Sequence, residues 1–514
     1  MSTSPESPVP GEIPLRGRIA RGATWTGTAR WLGTVSGVVS AAVLGRLLEP
    51  ADFAVLAAAG ALAGFVGIVQ ESGLGAAVIQ RAGDEDRVAA SALILNVALA
   101  TLGLAACLAV APWLARFFHI EQRGALAVAF APLWIRAWTN VPVARLRKAL
   151  AFGRAAVVQA APSVAYPAVS IPLALAGFGP WALVLGQAAA SLAGAAAAWL
   201  LVEWRPRLRD FDWQTGRTLA TYGRPIVGSN LLGTLNDQVD NWVVGRLFGP
   251  AALGLYTMAF RLATLPRSGF TFVVSEVLFP ALALVKGDER RLRTLFLRSL
   301  HWVSVFSIPA SVGLALLARD LIAVVLGPRW AGAVTAVRVL TGFGLCAALS
   351  ATTGDVFKAT GRSHLILRVG VVHSLALWIG LAWLARLGLP YAALAVTGAA
   401  AVSSLVAFAA AVHVLGLGPG AIVRSLVAPT MASAVMGAVL AGLPGDAGAA
   451  GALAVRVLAG ATAYVAALAV FAPGDVRELR LLVAALRPAP RGSQTSTALG
   501  LTGTGSARTS RDPC

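Results

Sequence analysis

The sequence predicts an all-α polytopic membrane protein of about fourteen transmembrane helices, built as two six-helix lobes in parallel repeat plus a C-terminal helix pair. Three observations predict it. Of 514 residues, 57% are hydrophobic and only 13% are charged, where soluble domains carry roughly 25% charged residues; mean hydropathy is +0.75. Apolar segments of about 20 residues, long enough to cross a hydrocarbon core of ~30 Å, recur along nearly the whole chain, and a helix of that length satisfies its own backbone there. Finally, Val43–Ala63 (VLGRLLEPADFAVLAAAGALA) returns as Val243–Ala263 (VVGRLFGPAALGLYTMAFRLA), with nine of 21 aligned pairs identical. Solenoid periods run to roughly 50 residues, so a copy two hundred positions away means a duplicated domain.

The predicted spans are 25–48, 53–79, 88–113, 123–145, 155–177, 180–202, 220–247, 251–283, 294–318, 331–353, 364–386, 390–414, 421–441 and 450–472. Spans beyond 25 residues must tilt, kink or extend past the bilayer. They divide the chain into a cytoplasmic segment 1–24, an N-lobe 25–203, a cytoplasmic linker 204–219, a C-lobe 220–415, a helix pair 416–473 and a cytoplasmic, largely disordered tail 474–514. An even number of spans separates the two copies, so both enter the membrane from the same side. Lys and Arg concentrate on one side of this layout, at Arg16, Arg18 and Arg21, at Arg145, Arg147, Lys148 and Arg154, at Arg205, Arg207 and Arg209, and at Lys286, Arg290, Arg291 and Arg293. The positive-inside rule makes that side, and both termini, cytoplasmic. The polar N-terminal stretch lacks the charged, apolar and cleavage regions of a signal peptide, so insertion is expected to rely on the first span.

The net charge of +19 is accounted for by these topology-setting arginines, and no basic block is interleaved with aromatics, so nucleic acid is not an expected partner. Cys107, Cys346 and Cys514 are too scattered for a disulfide framework or a metal site. No G-x-x-x-x-G-K-[ST] or H-E-x-x-H occurs, which argues against nucleotide hydrolysis and zinc catalysis. No cofactor, metal or enzymatic activity is expected. The acidic run Asp84, Glu85, Asp86 reads as a solvated loop without partners.

Ionisable groups inside spans cost about 2.5–3.5 kcal/mol each on insertion scales, which makes each a functional candidate. Arg30, Thr34, Gly37 and Ala41 share one face of the first span, and their repeat partners Asn230, Thr234, Asp237 and Asn241 share the same face of the seventh. Asp240 lies close to that face. Arg136 stands one turn from Asn140 in the fourth span, and Arg261, Arg267 and Glu276 follow in the eighth, where Pro266 breaks the helical ladder. The charges are not duplicated: Arg30 pairs with Asn230, Asp240 with Ser40, Arg261 with Ala61 and Glu276 with Ala76. Arg46 and Arg246 are duplicated and read as end-caps of each lobe's first helix. Guanidinium groups suit an anionic ligand such as phosphate. Arg30, Arg136, Arg261, Arg267 and Asn230 are therefore candidates for an anionic headgroup, and Asp237, Asp240 and Glu276 for proton or Na+ coupling.

The run VLGRLLEPADFAVLAAAGALAGFVGIVQESGLGAAVIQR, then GFGPWALVLGQ from Gly177 and QVDNWVVGRLFGPAALGLYTMAFRLATLPRSGF from Gln238, resembles the polysaccharide transporter family of Wzx-type flippases. That family lies within the multidrug/oligosaccharidyl-lipid/polysaccharide exporter superfamily. The resemblance covers spans one to about twelve. It implies a two-lobed carrier with a cationic cavity that moves undecaprenyl-pyrophosphate-linked oligosaccharide from the cytoplasmic to the periplasmic leaflet of the inner membrane. It also implies alternating access, H+ or Na+ coupling in some members, and a place beside a polysaccharide polymerase and other assembly proteins. Two alternatives stand beside it. A multidrug or cation antiporter of the same superfamily needs an acid-rich, aromatic cavity, whereas arginines lead here. A membrane glycosyltransferase or ligase needs acids on a large extracytoplasmic loop, whereas these outer loops are short.

Overall fold

The computed structural model describes residues 15–70, 74–80, 84–267, 288–444 and 450–475. Every regular element among them is helical, with no strand. In chain order they are α1 (Leu15–Leu47), α2 (Pro50–Gln70), α3 (Leu74–Gln80), α4 (Glu85–Phe117), α5 (Arg123–Val128), α6 (Ala131–Lys148), α7 (Phe152–Leu175), α8 (Pro180–Leu201) and α9 (Trp213–Ala263). Then follow α10 (Glu289–Leu321), α11 (Val334–Ala359), α12 (His364–Leu384), α13 (Leu389–Leu415), α14 (Pro419–Gly442) and α15 (Ala450–Phe471). Eleven described helical stretches are long and apolar enough to cross a membrane. The difference from fourteen has a physical reason. Helices α1 and α6 are weakly apolar, and α9 holds two predicted spans in one element. The part of the eighth span beyond residue 267 lies outside the described residues.

The repeat punctuation explains α9. Gly249 takes φ 78° and ψ −176°, a backbone that costs glycine little and other residues much, and Pro250 then restarts a helix at the position proline favours. Two arms result, 213–248 and 250–263, matching the pair α1 and α2. Helix α1 starts at Leu15, ten residues before its predicted span, and α9 starts at Trp213, within the stretch 204–219. Asp212 caps α9, accepting from the backbone N–H groups of Gln214 and Thr215. The Thr215 hydroxyl bond, aided by these amides, holds the Asp212 carboxyl below the usual carboxylate range. Its contribution is complete above that range and is lost as pH falls through the lowered value.

One end of the bundle is knitted by the duplicated corners. Arg46 donates to the carbonyls of Val324 and Val325 in the π-helical turn Ile322–Leu326 that follows α10, carbonyls that a helix terminus leaves without intrahelical partners. The Trp330 indole N–H donates to the Gly45 carbonyl at 2.7 Å, and Phe53 meets the Trp330 ring edge-on at 5.2 Å. The second copy does the converse. Gly245 lies against Phe118, which follows α4, Arg246 sits 5.7 Å over the Phe117 ring, and Trp242 packs on Phe117 and Phe118. Each corner therefore grips the other half of the chain rather than capping its own lobe, which corrects the sequence expectation. A buried core containing Leu44, Leu48, Val244, Tyr256, Leu326 and Trp330 runs continuously across both halves here.

The opposite end is held by exposed ion pairs. Arg145 meets Asp86 at 2.6 Å, Lys148 meets Glu85 at 3.0 Å, and Arg154 meets Glu203 at 3.0 Å; Asp84 caps α4 through the Arg87 N–H. The acidic run thus has partners, contrary to the sequence reading, because the topology brings the turn before α4 beside the turn after α6. Exposed pairs of this kind contribute about 0–1 kcal/mol each. The final helices dock on α10. The Tyr464 hydroxyl donates to the Val305 carbonyl at 2.6 Å. His301 contacts the Ser425 carbonyl through Nδ1 and Asp475 through Nε2, and Arg456 pairs with the buried Asp320 while donating to the Leu440 carbonyl.

Candidate functional site

Between α2, α6, α8 and the first arm of α9 lies a cavity of about 730 Å³. Its wall runs along α2 from Leu56, one to two turns from the corner, to Gln70 at the far end of that helix. The helical period builds it. Gly60, Gly64 and Gly67 recur on one face of α2, and Asn230, Gly233, Thr234 and Asp237 recur on one face of α9, at spacings of three and four that stack side chains on a single stripe. Arg136 and Asn140 enter from α6 one turn apart, and Gln187 enters from α8. Polar side chains here are costly to insert unless they border water or find partners, and a cavity supplies that border.

Of the sequence-selected residues, the structure brings together Arg136, Asn230 and Asp237 on this wall. Asp237 is also within electrostatic range of Arg267, four residues beyond the end of α9, and of His373 on α12. The neighbouring Asn236 amide donates to the Ser374 hydroxyl at 2.9 Å, and His373 contacts the Ser403 hydroxyl at 3.2 Å. Asp237 therefore faces the cavity with bases from two helices near it.

Asp240 is placed elsewhere. It is only 4% exposed, accepts from the Tyr256 hydroxyl at 2.7 Å and from the Asn241 N–H at 2.7 Å, and so joins the two arms of α9 instead of lining the cavity. Arg261 is exposed on the second arm, within electrostatic range of Tyr166 on α7. Arg30 is exposed on α1. The apolar side chains Leu32, Val35 and Val39 are also exposed there, but the 100° step per residue puts them on the side of α1 opposite Arg30, Thr34 and Gly37. Neither Arg30 nor Arg261 lines the cavity of Arg136. Glu276 lies outside the described residues.

Sequence reasoning missed Gln70 and Gln187. The Gln70 amide donates to the Leu133 carbonyl at 3.3 Å while lining the cavity. The signal for Gln187 was present as a carboxamide inside an otherwise apolar span, but a search restricted to charges passes over it. His373 carries no such signal, since its relation to Asp237 crosses more than one hundred residues of chain.

A family model described as "Polysaccharide biosynthesis protein" matches residues 43–335. The teichuronic acid biosynthesis protein TuaB of Bacillus subtilis (strain 168) is 26% identical over 358 residues, 68% of this chain and 72% of TuaB. The lipopolysaccharide biosynthesis protein WzxC of Escherichia coli (strain K12) is 23% identical over 368 residues, covering 70% and 73%. Among solved structures, the lipid II flippase MurJ in an inward closed conformation superposes with a TM-score of 0.73 at 14% identity, over 90% of this chain and 100% of that one. That likeness concerns the fold, which is the all-α two-halved architecture expected from the repeat. Since the matching model spans more than half of the 514 residues, this chain belongs to the polysaccharide biosynthesis protein family.

Proposed function

We propose that this protein is a flippase of the bacterial inner membrane that translocates undecaprenyl-pyrophosphate-linked oligosaccharide units from the cytoplasmic to the periplasmic leaflet for cell-surface polysaccharide assembly. The observation that carries this reading is the cavity that holds Arg136 and Asp237 between helices of both halves, with the corner contacts shutting one end of the bundle. With both termini cytoplasmic, the corner end faces outward and is the end that is closed in this state. Rocking of the halves about the cavity gives alternating access, as repeat-built carriers do. Arg136 serves the anionic headgroup, with Arg30, Arg261, Arg267 and Asn230 along its route. Outward movement of each negative charge is electrically downhill by roughly 2.3 kcal/mol per 100 mV in an inside-negative cell, so transport needs no nucleotide. The names of TuaB and WzxC support a role in polysaccharide assembly, and a polymerase acting on the delivered lipid is the natural protein partner.

Arg136→Ala in a host lacking its own flippase is expected to cut surface polysaccharide roughly 10- to 100-fold at matched protein level, since a charge-assisted hydrogen bond contributes about 1.5–3 kcal/mol. Output equal to that of the parent protein sinks the headgroup role. Asp237 is assigned to ion coupling, because it borders the cavity and Asp240 does not. In vesicles carrying the parent protein, an imposed proton or Na+ gradient is expected to accelerate glycolipid translocation, and Asp237→Asn to remove that response. A gradient response that survives Asp237→Asn excludes the assignment.

A further inference from the structure

We infer that this same cavity reads the sugar portion of the transported lipid, through the carboxamides of Asn140, Gln187 and Asn230; the inference rests on the flippase reading above. The charge of the wall is the first reason. Among the described lining residues the ionisable ones are Arg136 and Asp237, with Arg267 and His373 in electrostatic range of Asp237, so charge accounts for only a small part of this wall. What remains is amide chemistry. Each carboxamide offers two donors and an acceptor with two lone pairs, whereas phosphate oxygens only accept and ammonium groups only donate. Ligand hydroxyls both donate and accept, and a glycan presents many of them.

Among the described residues the side chains of Asn140, Gln187 and Asn230 make no hydrogen bond to protein, although all three line the cavity. A structural role would have paired them across helices, as Asn96 is paired with the Ala137 carbonyl at 2.9 Å. The glycines are an independent second reason. A methyl group added at Gly60, Gly67 or Gly233 would meet nothing within 4 Å, so close helix packing does not call for glycine there. Glycine inside a helix costs about 1 kcal/mol relative to alanine. The three positions leave a smooth concave wall where bulkier residues would take up ligand volume. The volume of about 730 Å³ falls within the roughly 300–1,000 Å³ of pockets that bury most of a small ligand, and it accommodates sugar rings rather than a bare phosphate.

Sites that hydrogen-bond ligand hydroxyls reject ligands lacking them, because the buried polar groups are then left unpaired. The test uses the full-length protein in vesicles with two probes: the polyprenyl-pyrophosphate lipid bearing the complete repeat unit, and the same lipid bearing one sugar, from a host blocked after the first glycosyl transfer. Translocation is read by oxidation with membrane-impermeant periodate. The parent protein is expected to favour the complete lipid. Gln187→Ala, Asn140→Ala and the isosteric Gln187→Glu are expected to lower the ratio of the two rates about tenfold, whereas Arg136→Ala lowers both rates together and leaves the ratio. An unchanged ratio in amide variants that purify and melt as the parent does overturns the sugar-reading role alone, as does a parent that moves both lipids equally. A parent that moves neither lipid overturns the transport reading, and this inference with it.

Discussion

Gly254→Ala is expected to reduce translocation at least a hundredfold while leaving the helices intact. A Cβ on Gly254 would lie 1.7 Å from the Pro50 carbonyl oxygen and 3.2 Å from the Pro50 Cα. Both are backbone atoms at the start of α2, so no side chain can rotate away; the two halves must separate at the corner end. A carrier that alternates must close that end once per cycle, and a packed interior cannot absorb a displacement of this size. The check is accessibility. With the native cysteines replaced, a Phe53→Cys probe is expected to react only slowly with an impermeant maleimide when position 254 is glycine, because Phe53 is packed on Trp330 while that end is closed. It is expected to react much faster when position 254 is alanine. Normal polysaccharide output from Gly254→Ala would show that the contact with Pro50 is dispensable.

The second large effect is on stability. Arg456→Ala leaves Asp320 as a buried carboxylate without its guanidinium; the two side chains are 12% and 7% exposed, respectively. Removing one member of a buried pair costs about 3–5 kcal/mol, and the Leu440 carbonyl also loses a donor. The expected result is a melting temperature lowered by several degrees in detergent, with α14 and α15 released from α10 and cleaved early by protease. Asp320→Leu combined with Arg456→Met is expected to recover most of the loss, since replacing both charges by apolar groups of similar volume is often neutral or stabilising. If the single and double variants melt alike, the pair has no role in holding the helices.

Much of the fold was legible because hydropathy and the repeat are local properties of the chain. The separate predicted spans 220–247 and 251–283 placed the break that Gly249 makes in α9, and the spacing of Asn230, Thr234 and Asp237 announced a polar stripe that the cavity uses. What was not legible depends on partners distant in sequence. Arg46 bonds a carbonyl 279 residues away, so the sequence suggested a cap on its own helix and nothing more. Charge alone made Arg30, Arg136 and Arg261 equivalent, but packing puts only Arg136 on the cavity wall, since α1 turns Arg30 to another face and Arg261 sits toward Tyr166. Asp240 looked available because its stripe is polar; the Tyr256 hydroxyl that occupies it comes from beyond the break. Gln187 was overlooked because insertion cost was sought in charges, although an amide carries it too.

The contacts of the two corners are reciprocal. The first copy seats its Gly45–Arg46 on the turn after α10, and the second seats Gly245–Arg246 on the turn after α4. Patch i meeting patch j while j meets i is the geometry of an isologous two-fold contact between identical subunits. In this protein the two repeat halves, which differ in charge, meet in that reciprocal way within one chain at the corner end. Closure there belongs to the pair, and neither half possesses it alone.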